Sequence, residues 1–360
     1  MIEHAYIHIP FCLRKCKYCS FVSGENIENK EIYIKTLLKE IKKRYKNEKL
    51  KTLYFGGGTP SLLDVYDITN IIKCFNLDKN AEVTLETNPE TVEKAKFEEL
   101  YQSGINRISL GIQTFDNEIL KLTGRKHTSQ IAKNAIKTIK QAEFNNISID
   151  LIYGLPNQSP EKFEDDLNEA KKLDIQHIST YGLKIEKGSY FYENPPENIA
   201  DDEIQEKMYK LLCNSLSEFN HYEISNFALE GYNSRHNTAY WQNKEYYGFG
   251  LNASGYEKNV RYKNTSIFNE YIKNPFKREE EILLTREETI ENEIFLALRL
   301  KQGVNINELN KKYKMDFMEK YGKIVEKYKN YGLLKCDNKS VFLTINGILL
   351  SNEIMSEFIN

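Results

Sequence analysis

Six short runs rich in β-branched and aromatic residues, "AYIHI", "KTLYF", "EVTLE", "RISLGI", "ISIDLIY" and "HISTYGL", are separated by longer stretches with helical periodicity. This alternation restricts the fold more than any other feature of the chain. Ile34, Leu37, Leu38, Ile41 and Tyr45 fall on one face of a first helix, and Ile131, Ala135, Ile136 and Ile139 on one face of another. Repeated strand–helix units imply a parallel sheet with right-handed crossovers, hence an α/β protein.

Periodicity alone does not separate an open doubly wound sheet from a barrel. The placement of polar residues does. Cys12 follows the first strand, "GGGTP" the second, Glu86 ends the third, Gln113 ends the fourth and Asp150 lies in the fifth. Chemistry drawn from the C-terminal ends of successive strands is how (β/α) barrels build sites, whereas a switch-point cleft uses fewer strands. The expected architecture is a partial (β/α)6 barrel over residues 1–256. A polar, Lys- and Asn-rich stretch then reads as a connector over 257–284. A small helical, winged-helix-like domain is expected over 285–360, starting at a capping box of Thr285 and Glu288.

Charge excludes some partners. The chain carries 50 Lys and Arg against 52 Asp and Glu, a net charge of −2. That balance gives no electrostatic reason to expect nucleic acid or an anionic membrane. The C-terminal domain, with 12 basic and 11 acidic residues from Thr285 onward, has no basic stripe for DNA. No run of eighteen apolar residues occurs, and the N-terminus lacks a secretory pattern, so a cytoplasmic protein without a transmembrane segment is expected. The sequence leaves oligomeric state, a homodimer included, open.

Six cysteines are too few for a disulfide scaffold, and three of them cluster in "CLRKCKYCSF" as C-x3-C-x2-C: Cys12, Cys16 and Cys19. Cys74, Cys213 and Cys336 stand alone and read as small buried hydrophobes. A structural zinc site wants four ligands, yet no second C-x-x-C follows. His4 and His8 are the nearby candidates, and His8 alternates with Ile7 and Ile9 as a half-buried strand histidine would. Three thiolates instead suit three corners of a [4Fe–4S] cluster, leaving the fourth iron open to a ligand.

On this loop the sequence resembles the radical S-adenosylmethionine superfamily. The resemblance implies that the open iron chelates S-adenosylmethionine, whose one-electron reductive cleavage yields a 5′-deoxyadenosyl radical. "YFGGGTPS" looks like the family's glycine motif. It is neither G-x-G-x-x-G nor a P-loop, which removes a dinucleotide or triphosphate reading. Within the superfamily, "YIHIPFC", "FGGGTPS", "LETNPE", "SLGIQTF", "GRKH" and "IDLIYGLPNQS" follow the order of the coproporphyrinogen dehydrogenase and heme chaperone branch across roughly the first 160 residues. The resemblance implies S-adenosylmethionine contacts from Tyr6, Gly57, Gly58, Thr59, Glu86, Gln113, Arg125 and Asp150. Arg125 would pair with the cofactor's carboxylate and Asp150 would meet its ribose hydroxyls, roles that suit a guanidinium fork and a carboxylate acceptor.

The dehydrogenases of the branch usually carry a fourth cysteine, C-x3-C-x2-C-x-C, and an N-terminal extension. Here Phe21 occupies the fourth position and the first strand begins about five residues in. Both departures resemble the heme chaperone members. So does "HNTAYW", matching an H-N-x-x-Y-W pattern at His236, Asn237, Tyr240 and Trp241, which implies His236 as an axial ligand for heme. The pattern breaks at Asn252, Ala253, Ser254 and Gly255, where these chains tend to show G-A-H-S. The expected function is therefore heme binding and delivery to an apo-hemoprotein. The alternatives are radical decarboxylation of coproporphyrinogen III and, more distantly, a zinc-binding regulator acting on DNA.

Overall fold

The computed structural model describes residues 1–359. Contacts divide the chain into two units, Met1–Glu218 with Glu245–Ile282, and Phe219–Lys244 with Leu283 onward. In the first unit, strands β1 (His4–Ile9), β2 (Leu50–Gly57), β3 (Leu77–Thr87), β4 (Arg107–Gln113), β5 (Ile147–Tyr153) and β6 (His177–Gly182) alternate with helices α1 (Lys30–Arg44), α2 (Val65–Ile72), α3 (Lys94–Gln102), α4 (Asn117–Leu122), α5 (Ser129–Gln141) and α6 (Pro160–Lys171). All six strands run parallel in the order β6-β5-β4-β3-β2-β1, and Tyr247–Phe249 adds parallel to the outer edge of β1. Because β1 pairs with Tyr247–Phe249 and not with β6, the six strands form a partial barrel.

The two faces of this sheet differ in chemistry. Ile7, Leu53, Phe55, Leu85, Ile108, Leu110, Ile149 and Ile178 alternate outward and are fully buried, as are Leu37, Ile41, Ala132 and Ile139 of the surrounding helices. The lumen face carries His4, Thr52, Arg107, Ser148 and His177 in a lower layer. Above them stand Tyr54, Glu86, Ser109 and Asp150, tied by bonds from Ser109 Oγ to Asp150 (3.2 Å) and Tyr54 OH to Glu86 (2.8 Å). A closed barrel core is filled with branched apolar side chains. A polar lumen of this kind suits a polar ligand. Three helical positions differ from the periodicity: Ile131 is 40% exposed, while Tyr33 and Glu40, absent from the apolar face expected of the first helix, are buried.

The stretch 257–284 is not a connector. Ser254–Glu257, Val260–Asn264 and Arg278–Leu283 form a three-stranded sheet, with a helix at Phe268–Lys273. Asn264 and Tyr271 are interior partners of α1, while most of the charged residues of the stretch stay at the surface. The Glu40 carboxylate accepts from Gly250 N (2.8 Å), Tyr271 OH (2.7 Å), Asn264 Nδ2 (2.9 Å) and Arg44 Nη1 (2.6 Å), and Arg44 also pairs with Glu257 (2.7 Å). Composition misled here because these polar groups are buried as partners of one another and not solvated.

The second unit also departs from the expected boundaries, since it takes in Phe219–Lys244 and with it the "HNTAYW" segment. Backbone bonds Ile224 N to Arg299 O and Lys301 N to Tyr222 O (both 3.0 Å) bind the two parts, and the Arg299 guanidinium lies 4.4 Å from the Trp241 ring centroid. From Arg286 the order is helix, strand (Val304–Asn305), two helices (Ile306–Tyr313 and Phe317–Asn330) and an antiparallel hairpin (Leu334–Cys336 and Ser340–Leu343), the order of a winged helix. Thr285 and Glu288 form the expected capping box.

Candidate functional site

The Cys loop leaves β1 at Pro10 and is closed by Cys12 N to Gly24 O and Gly24 N to Pro10 O (both 2.9 Å). A turn from Cys19 N to Cys16 O (3.1 Å) and a bond from Lys17 N to Thr123 O (3.0 Å) fix its middle. Cys12, Cys16 and Cys19 are free and partly exposed. Among the described residues no three His, Cys, Asp or Glu side chains are gathered as ligands of one metal ion. Ligands of a single zinc would hold their sulfurs roughly 4 Å apart, given a Zn–S bond of about 2.3 Å in a tetrahedron, whereas the thiolates of a cubane bind different irons. His8 is excluded as a fourth ligand: it is buried, its Nε2 bonds Val22 O (2.9 Å) and its Nδ1 bonds Tyr6 OH (3.1 Å).

The glycine turn packs against the root of this loop. Gly58 N donates to Ile9 O (2.8 Å) and Thr59 N to Phe11 O (2.7 Å), and a Cβ at Gly58 would stand 2.6 Å from Phe11 O. Gly57 has φ +112°, and a Cβ there would meet the His8 ring at 2.6 Å. Only glycine fits both demands. Thr59 Oγ1 lies 3.6 Å from Cys12 Sγ and accepts from Asn88 Nδ2 (3.0 Å).

Asn88 continues the network, accepting from Arg125 Nη1 (3.2 Å), which also reaches Cys16 Sγ (3.4 Å). Arg125 is drawn in further by Gly111 O, and a Cβ at Gly111 would collide with its Nη2 at 2.7 Å and with Gln113 Nε2 at 2.9 Å. Gln113 sits at a β-bulge with φ +73°, a strained conformation for a side chain of this kind. The chain Cys12–Thr59–Asn88–Arg125–Cys16 thus joins the ends of β2, β3 and β4 to the loop after β1. A guanidinium beside thiols stabilises thiolate, which the burial of Cys12 and Cys19 otherwise opposes. The donor set fits a [4Fe–4S] cluster: three free thiols on one braced loop, a cation beside them, and an Arg125 Nε with no hydrogen-bond partner.

Deeper in the lumen, Gly57 N donates to Glu86 Oε2 (3.0 Å), and burial pushes the Glu86 carboxyl up to about 7. Asp150 is likewise raised by burial. Tyr6 stacks on Tyr54 at 6.1 Å between centroids. The structure thus brings Cys12, Cys16, Thr59 and Arg125 into one network, with Gln113 beside it at Gly111, and Tyr6, Gly57 and Glu86 into a second. His236 stands in the other unit. It lies in a helix, Arg235–Trp241, capped by Ser234, is 1% exposed, and its Nε2 bonds Tyr240 OH at 2.8 Å. Phe21 is 64% exposed. The sequence reading passed over Asn88, Ser109 and Arg107, although Asn88 sits just past a strand end, where the other site residues were found.

The "Radical SAM superfamily" model matches residues 6–170, and the "HemN C-terminal domain" model matches residues 284–350. The chain is 37% identical to the heme chaperone HemW of Lactococcus lactis subsp. lactis over 99% of its own length and 97% of that protein. It is 32% identical to the heme chaperone HemW of Bacillus subtilis, with 99% of each covered. Among solved structures, coproporphyrinogen III oxidase (HemN) of Escherichia coli superposes with a TM-score of 0.88 at 21% identity, over 99% of this chain and 90% of that one.

Proposed function

Because the chain belongs to the HemW family of the radical SAM superfamily, we propose that it is a heme chaperone, binding heme and passing it to an apo-hemoprotein, and that it acts in the cytoplasm. The observation that carries this reading is similarity to two heme chaperones over nearly the whole of both chains. No helix among the described residues is long and apolar enough to cross a membrane.

The superfamily implies a [4Fe–4S] cluster and S-adenosylmethionine, which together supply one-electron cleavage of a sulfonium when bound. Cys12, Cys16 and Cys19 hold the cluster. Arg125 takes the cofactor's carboxylate, Asp150 its ribose hydroxyls, and Tyr6, Gly57, Gly58, Thr59, Glu86 and Gln113 line the remainder. A charge-assisted bond typically contributes about 1.5–3 kcal/mol, so Arg125→Ala weakens S-adenosylmethionine binding by roughly tenfold or more, as read by calorimetry on reconstituted protein. Unchanged affinity removes Arg125 from the cofactor site.

His236 ligates the heme iron through Nε2, and for this the bond to Tyr240 OH must open. His236→Ala therefore weakens heme binding and alters the Soret band, while Tyr240→Phe, which removes the hydroxyl bonded to Nε2, strengthens it. A Soret spectrum indifferent to both substitutions moves the heme site elsewhere. The test of the function itself is a pair of assays on anaerobically reconstituted protein. Heme binds and transfers to an apo-hemoprotein, and with S-adenosylmethionine and reductant coproporphyrinogen III stays unconverted. Formation of protoporphyrinogen IX overturns the proposal in favour of the dehydrogenase.

A further inference from the structure

Arg107 opens β4 on the lumen face and heads the fully buried side chains by size, at 1% exposure. Its Nε has no hydrogen-bond partner, and neither has the hydroxyl of Thr84, its neighbour in register on β3. A guanidinium in such surroundings is strongly unfavourable unless opposite charge lies close by. Two residues further along the same face, Ser109 pairs in register with Glu86 and donates to Asp150. Arg107 therefore lies one layer below the two carboxyls of the lumen, and its charge acts on both, opposing the rise that burial imposes on them.

The other groups facing this space do not replace it. Burial holds His8 down to about 4 and His177 well below its ordinary value, so both imidazoles are neutral. It holds the Tyr6 and Tyr54 phenols well above theirs. Tyr181 on β6 is a further phenol, and Glu82 on β3 a further carboxyl near the floor. Arg125 acts on Asp150 from above but is engaged by Cys16, Asn88 and Gly111. A buried water between Thr84 and Arg107 would satisfy their hydrogen bonds without explaining why a cation stands there.

We propose that Arg107 is a positioning residue of the S-adenosylmethionine site, a fixed positive charge at the lumen floor that favours the ionised forms of Glu86 and Asp150 where the cofactor's polar hydrogens need acceptors. This rests on the cofactor contacts proposed above for Glu86 and Asp150. An opposite charge at close range typically moves a carboxyl by about 1–3 pH units. Removing it moves the carboxyls' protonation to higher pH, so that cofactor binding fails earlier on acidification.

The experiment is S-adenosylmethionine binding to cluster-reconstituted protein from pH 6 to 9, for the wild type, Arg107→Met and Arg107→Lys, with cluster content and circular dichroism as controls. Arg107→Met binds as the wild type does at high pH and loses affinity at a midpoint about one unit or more higher, while Arg107→Lys keeps the wild-type profile. An unchanged midpoint, or a loss equal at every pH, overturns the inference. Should Arg107→Met fail to fold, Arg107→Met with Glu86→Gln, which removes charge and counter-charge together, folds on this reading. Failure of that pair while Arg107→Lys folds also overturns it. Wild-type protein that binds no S-adenosylmethionine at any pH overturns the cofactor assignment instead, and this inference with it.

Discussion

Replacing Cys12, Cys16 or Cys19 singly with Ala abolishes most of the cluster absorbance that the wild type acquires on anaerobic reconstitution with iron and sulfide. On the proposed assignment each thiol supplies one corner, and no group of His, Cys, Asp or Glu among the described residues is gathered to take over the metal. Cys74 cannot substitute, because it lies just past the end of α2 with its thiol bonded back to Asn70 O at 3.4 Å. The loop is held by backbone bonds from Cys12, Lys17, Cys19 and Gly24, which the substitutions retain, so circular dichroism stays that of the wild type. Stoichiometric zinc without labile sulfide in the reconstituted wild type would show the cluster assignment to be wrong.

The largest effect on stability is expected at Glu40, far from any thiol. Its carboxylate satisfies a backbone amide, a phenol, an amide side chain and the Arg44 guanidinium, and it is itself 0% exposed. Glu40→Ala leaves Arg44 with one carboxylate, Glu257, strands Gly250 N and Tyr271 OH, and leaves Asn264 Nδ2 only its bond to Gly250 O. Breaking a buried ionic network by removing one partner typically costs about 3–5 kcal/mol. In a unit of this size that lowers the melting temperature by roughly 6–15 °C. Scanning calorimetry or a thermal dichroism melt reads the change, and a variant melting within about 2 °C of the wild type would show that this network does not hold Glu245–Ile282 onto α1.

How much was legible follows from which interactions set each feature. The six strands were readable because strand and helix periodicities differ and the outward face of each strand is mainly apolar. The three-thiol loop was readable because ligand spacing within one loop is a property of sequence. Glu86, Gln113 and Asp150 were readable as polar groups at or near strand ends. The Asn264, Tyr262 and Tyr271 cluster was not, since each residue is polar or amphipathic and its burial depends on Glu40 and Arg44, more than two hundred positions away.

Sequence by itself determined the parallel α/β order, the thiol loop and the glycine turn behind it, because local periodicity and local spacing are enough for each. Tertiary structure alone decided that residues 257–282 are built into the first unit, that His236 is buried against Tyr240 in the second, and that Asn88 links Thr59 to Arg125. It alone placed Arg107 beneath Glu86 and Asp150. In each case the deciding quantity is the desolvation of a polar group together with a partner distant in sequence, and neither is written in the residue's own neighbourhood.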